Sequence, residues 1–134
     1  MPVTLIDPDG LMKSDAYRQV AVAIGARQVH VAGQVAVDAT GQLVAPGDLA
    51  GQVAQVLRNV SIGLAAAGAT FADVVRLTVY VVDWQPEKLA DFMAGVQQVA
   101  AEVGFVPAPA TLVEVVSLFA PGFLVEIEAT AVLD

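Results

Sequence analysis

The chain has 134 residues, no cysteine, one histidine, and 14 acidic against 6 basic side chains, for a formal net charge of −8. This length suits one domain, expected to span residues 1–134 and to fold without disulfide or metal, while the lack of cysteine excludes disulfide scaffolds, thiolate metal sites and cysteine nucleophiles. So few Lys and Arg argue against nucleic acid as a partner, since phosphate binding draws on their release of counterions; the 57% hydrophobic content, above the roughly 45–50% of ordinary domains, points to burial between copies of the chain.

Residues 1–16 are rich in turn formers and read as an extended arm. They carry no basic stretch ahead of an apolar core, so no signal peptide is expected. No apolar run along the chain reaches the ~18 residues of a membrane span. The expected location is the cytoplasm, with no membrane partner. Gln19 to Ile24 alternates, with Val20, Val22 and Ile24 on one side. Gly25-Ala26-Arg27 is a turn, and Gln28 to Gly33 alternates again; two such runs around a Gly-containing turn predict a hairpin. Val35 to Val37 is a candidate third strand. Asp38-Ala39-Thr40-Gly41 is a turn and Ala45-Pro46-Gly47 a loop.

Asp48 is a good helix N-cap. Leu49, Val53, Val56, Leu57, Val60 and Leu64 then form one apolar stripe, and the helix is predicted to stop near Ala67 with Gly68 as its C′ residue. Val74 to Val82 is β-branched throughout most of its length and reads as a buried strand. Pro86 lies near the start of a second helix, whose stripe is Leu89, Phe92, Met93, Val96, Val99 and Val103, with Gly104 ending it. Pro107-Ala108-Pro109 is rigid and extended. Thr111–Val116 and Leu124–Val132 are the last two strands. The predicted class is α+β: a mixed sheet with two helices packed on one face.

Few polar residues sit where chemistry can happen. Glu126, Glu128 and Thr130 share one face of the last strand, the two carboxylates ~7 Å apart by strand rise. That spacing suits acid/base work, and it equally suits a solvated or interface-facing sheet surface. Arg76, Thr78 and Tyr80 share one face of the central strand, where Arg76 is expected either to pair with a glutamate across the sheet or to meet a ligand. His30 reads as a structural group. Without a second histidine or an acidic cluster of ligand spacing, neither metal nor cofactor is expected. Gly33 is a bulge or a point of close approach. Tyr17 and Trp84 lie outside the periodic core pattern and are candidates for a lid, an interface anchor or packing.

These segments resemble the Rid (YjgF/YER057c/UK114) family from Tyr17 to Val132. The likeness rests on Tyr17-Arg18-Gln19, on Val29-His30-Val31-Ala32-Gly33-Gln34-Val35, and on Pro46-Gly47-Asp48 followed by Gln52, Val56, Leu57 and Asn59. It continues through the string from Asp73 to Val81, then Thr111-Leu112-Val113-Glu114-Val115 and Val125-Glu126-Ile127-Glu128-Ala129. The resemblance implies a chorismate-mutase-like fold, a homotrimer, and clefts between subunits in which deaminating members hydrolyse enamines and imines to 2-keto acids and ammonia. Some members are described as ribonucleases or translation inhibitors.

Carried over position by position, the resemblance keeps Tyr17, Gly33 and Glu128, the last matching the glutamate that positions the hydrolytic water. It places Ala32 where the family has serine and Met93 where an asparagine is common. Ala110 stands where deaminating members hold the substrate carboxylate with arginine, as a bidentate fork does. The implied substrate site therefore comprises Glu128 with Tyr17, Ala32, Gly33, Met93, Ala110, Thr111 and Leu112. It resembles an arginine-lacking subgroup, poor at 2-iminoacids, with Arg18 or Arg76 as possible stand-ins. The expected function is hydrolysis of a small imine, enamine or related metabolite. The alternatives are a non-catalytic trimer binding a small molecule in the same cleft and, against the charge, an endoribonuclease.

Overall fold

The computed structural model describes residues 2–134. Four strands form the main sheet in the order β3-β6-β4-β5: Arg27–Gln34 (β3), Val125–Leu133 (β6), Val74–Val82 (β4) and Ala110–Val115 (β5). β4 and β5 run parallel, and the other pairings are antiparallel. Val3–Ile6 (β1) and Val20–Ala23 (β2) make a separate two-stranded ribbon. The helices Leu49–Ala66 (α1) and Leu89–Val103 (α2) pack on each other and on one face of the main sheet.

Alternation decides which face that is. Val125, Ile127, Ala129, Ala131 and Leu133 of β6 are buried beneath the helices, while Glu126, Glu128 and Thr130 point to the open face. The α1 stripe fills the same core through Val53, Val56, Leu57, Val60 and Leu64. Asp48 caps α1, its carboxylate accepting the Gly51 N–H at 3.0 Å. Gly68 closes it in the left-handed region at φ +79°, where a residue without Cβ carries no steric penalty. Gly104 ends α2 in the same way. Pro86 opens a short 3-10 turn, Pro86–Lys88, one step ahead of α2.

Two local expectations are corrected. The predicted hairpin does not form, although both its strands do: β2 pairs with β1, and β3 pairs with β6. The chain crosses the end of β6 at Gly25, where a Cβ would collide with the Leu133 carbonyl. The arm supplies the missing partner. Asp7 accepts the Gln19 N–H at 2.9 Å and pairs with Arg18 at 2.6 Å, which secures the ribbon. Those two partners, the Gln19 amide first, hold the Asp7 carboxyl below its usual range. Val35–Val37 is not a strand. Its carbonyls at Val35 and Val37 are taken by the Asn59 side chain of α1, at 3.0 and 2.9 Å, leaving a single bridge from Val37 to Leu43.

Gln52 is the buried polar side chain of the core. Its amide donates to the Ala45 and Gly122 carbonyls and its carbonyl accepts from the Leu124 N–H at 2.9 Å. One side chain thus ties the entry of α1 to the entry of β6, and so fixes where Glu126 and Glu128 begin.

Candidate functional site

Strand register assembles the open face. Thr78 lies opposite Glu128, Tyr80 opposite Glu126, and Arg76 opposite Thr130. Tyr80 Oη donates to Glu128 Oε1 at 2.6 Å. That bond, then partial burial and the charges of Glu128 and Glu126, push the Tyr80 pKa up, so the phenol stays a donor. Arg76 is exposed and donates to Thr111 Oγ1. Among the described residues it has no carboxylate within ion-pair reach. The expected salt bridge across the sheet is absent because register sets Arg76 against Thr130 and Tyr80 engages Glu128.

His30, Ala32, Arg76, Thr78, Glu128 and Thr130 surround a cavity of about 440 Å³ on this face. His30 contacts Gln28 and, at 3.5 Å, Thr130. Gly33 sits in a bulge between Val31 and Gln34, and the Glu126 carboxylate lies where its Cβ would be. The glycine therefore admits a side chain of its own sheet.

A second cavity of about 750 Å³ opens on the helix side, beside α2 and the start of β5. Tyr17, Met93, Ala110, Thr111 and Leu112 all line it. Ala110 and Leu112 pair with Leu77 and Val79 of β4, which are buried in the helix-side core. Trp84, Phe92 and Phe105, not assigned to a site from the sequence, complete its wall. Trp84 packs against the core, and its backbone N–H donates to the Glu114 carboxylate at 2.8 Å. The structure thus brings Ala32 near Glu128, sets Gly33 against Glu126, and brings Tyr17, Met93, Ala110, Thr111 and Leu112 around one cavity. It does not unite the two groups: the sheet separates Glu128 from Tyr17, Met93, Ala110 and Leu112, while Thr111 turns its hydroxyl to Arg76 on the open face. Arg18 is committed to Asp7 and is not free to replace a clamp at position 110. Among the described residues, no cluster of His, Asp or Glu has the make-up of a metal site, and no helix is long and apolar enough to cross a membrane.

A family model described as Endoribonuclease L-PSP matches residues 10–133. The chain belongs to this family. The L-PSP match begins after β1, so the ribbon's first strand lies outside it. The chain is 39% identical over 104 residues, 77% of each protein, to a RutC family protein of Pyrococcus horikoshii. It is 37% identical over 107 residues, 79% of this chain and 73% of the relative, to a 2-iminobutanoate/2-iminopropanoate deaminase of Capra hircus. A Rid-family protein of unknown function from Yersinia pestis superposes with a TM-score of 0.89 at 41% identity, over 99% of this chain and 100% of that one. The serine-bound TdcF of E. coli superposes at 0.69 with 28% identity, over 96% and 94% of the two chains. The Rid resemblance read from the motifs is borne out, and so is the α+β architecture with both helices on one face. Within this L-PSP family setting, Ala110 is a methyl group on the wall of the helix-side cavity.

Proposed function

We propose that this protein hydrolyses a small neutral or cationic imine or enamine at a cleft completed by a neighbouring copy. The observation that carries the reading is the separation of Glu128 from Tyr17, Met93, Ala110 and Leu112 by one sheet. Two copies, in the expected homotrimer, join one half-site to the other. The similarity to 2-iminobutanoate/2-iminopropanoate deaminases supports the reaction class.

In the step proposed, water adds to the carbon of the C=N bond. Glu128 orients the water and takes its proton, and a proton passes to the nitrogen. The tetrahedral adduct then expels ammonia and leaves the carbonyl product. Tyr80 keeps the Glu128 carboxylate aimed by its 2.6 Å hydrogen bond. Backbone groups beside Gly33 and Thr111 hold the ligand, and Tyr17 covers it. With alanine at position 110 there is no fork for a carboxylate, so 2-iminoacids are poor substrates.

Glu128→Gln tests the reading. Turnover is expected to fall roughly 10²–10⁴-fold, the usual worth of a general base, with ligand binding retained. Turnover indifferent to the change removes this mechanism. Binding without turnover in the unaltered protein makes it a small-molecule binder instead. The family's endoribonuclease description is the reading that the charge of −8 argues against.

A further inference from the structure

The helix-side cavity has a chemistry that the reaction class does not dictate. Its volume, about 750 Å³, lies within the roughly 300–1,000 Å³ of small-molecule sites. It is far larger than a two- or three-carbon imine requires. Its walls include four aromatic residues, Tyr17, Trp84, Phe92 and Phe105. Two are held in place: Phe105 packs on Phe71 with ring centroids 5.2 Å apart, and the Trp84 backbone is tied to Glu114. Of all the side chains around the cavity only Asp15 is charged, and no Lys or Arg lines it. Among the described residues Asp15 has no ion-pair partner.

We infer that this cavity takes a ligand with a bulky apolar or aromatic body and a single positive charge, an amine or protonated imine. The inference rests on the reading that Tyr17, Met93, Ala110, Thr111 and Leu112 face a ligand, and it narrows that ligand's class. Aromatic faces attract cations through their quadrupole, Asp15 adds a carboxylate, and the whole-chain charge of −8 draws cations and repels anions at long range. Ala110 removes the one place where the resemblance would have set a cation. The body of the ligand fills the space among Phe92, Met93, Phe105 and Leu112, where apolar burial supplies the affinity.

Trp84 is the chain's only tryptophan, so its fluorescence reports binding in this cavity directly. Phenethylamine, phenethyl alcohol and hydrocinnamate share one body and differ in charge. Titrated into the intact protein, the amine is expected to bind roughly tenfold tighter than the alcohol, with the anion weakest. Asp15→Asn, a surface change, is expected to weaken the amine and leave the alcohol unchanged. Ala110→Arg is expected to reverse the order of amine and anion. Equal affinities for the three probes, tighter binding of hydrocinnamate to the unaltered protein, or emission unmoved by all of them overturns the inference. The readout separates this result from the reaction proposed above: an amine preference seen in Trp84 emission, in a protein that turns nothing over, keeps the inference and removes the reaction.

Discussion

Tyr80 and Glu128 meet only because β4 and β6 pair in one particular register. Each strand's alternation was readable, so Glu126 with Glu128 and Arg76 with Tyr80 were each placed on a face. The contact between the two sets was not, because period-2 patterning fixes faces and leaves register open. The same gap produced the expected Arg76 ion pair, which register withholds. Tyr80 titrates above its ordinary value in the folded protein, with the Glu128 hydrogen bond as the first cause. The stability this adds is present below the ordinary tyrosine value and is lost as pH rises through the raised one. In a Tyr17→Phe background, tyrosinate absorbance then reports Tyr80 alone. Adding Glu128→Gln is expected to move that titration down toward the ordinary tyrosine range. An unmoved curve would mean that the two groups do not interact in solution.

At the level of elements, both helices, the central strand and the last strand were legible, because long periodic segments with caps carry their own signal. The pairing of β2 was not legible. An alternating run says strand and says nothing about its partner, and the partner here is a short N-terminal strand among turn formers. The Val35–Val37 segment misled for a different reason: its carbonyls are claimed by Asn59, a residue far along the chain on α1. Gly95, inside the α2 stripe, drew no comment from the sequence, yet it is where α2 crosses α1. A Cβ there would strike the Ala50 carbonyl and Val53, neither of which is a flexible side-chain end. Gly95→Ala is therefore expected to destabilise the fold by about 1–3 kcal/mol, as overpacking does. Urea denaturation measures this; a gain in stability, as helix propensity alone would give, would mean that the helices stand further apart.

For the molecule as a whole, the composition anticipated surplus apolar surface, and the structure shows where it lies. Val116 and Phe119, between β5 and β6, are 98% and 94% exposed, and Ile24 is 80% exposed. The outer edges of β3 and β5 have no partner strand in the sheet, and unpaired edges invite another chain. Light scattering is expected to give the mass of three 13.8 kDa chains. A single-chain mass at working concentration would remove the composite cleft. The candidate site was legible as a set of positions through the resemblance; their division between two cavities was not, since only the folded sheet reveals which positions it keeps apart.

That division has a genetic consequence. Lesions in the two halves should complement one another. Glu128→Gln spoils the open face of its own copy, and Leu112→Trp fills the helix-side cavity of its own. Each alone is inert, but when the two are unfolded and refolded together, roughly a quarter of the clefts in a randomly mixed cyclic trimer inherit one sound half from each parent. Activity returning from two dead proteins would be the signature of a reaction chamber that no single polypeptide owns.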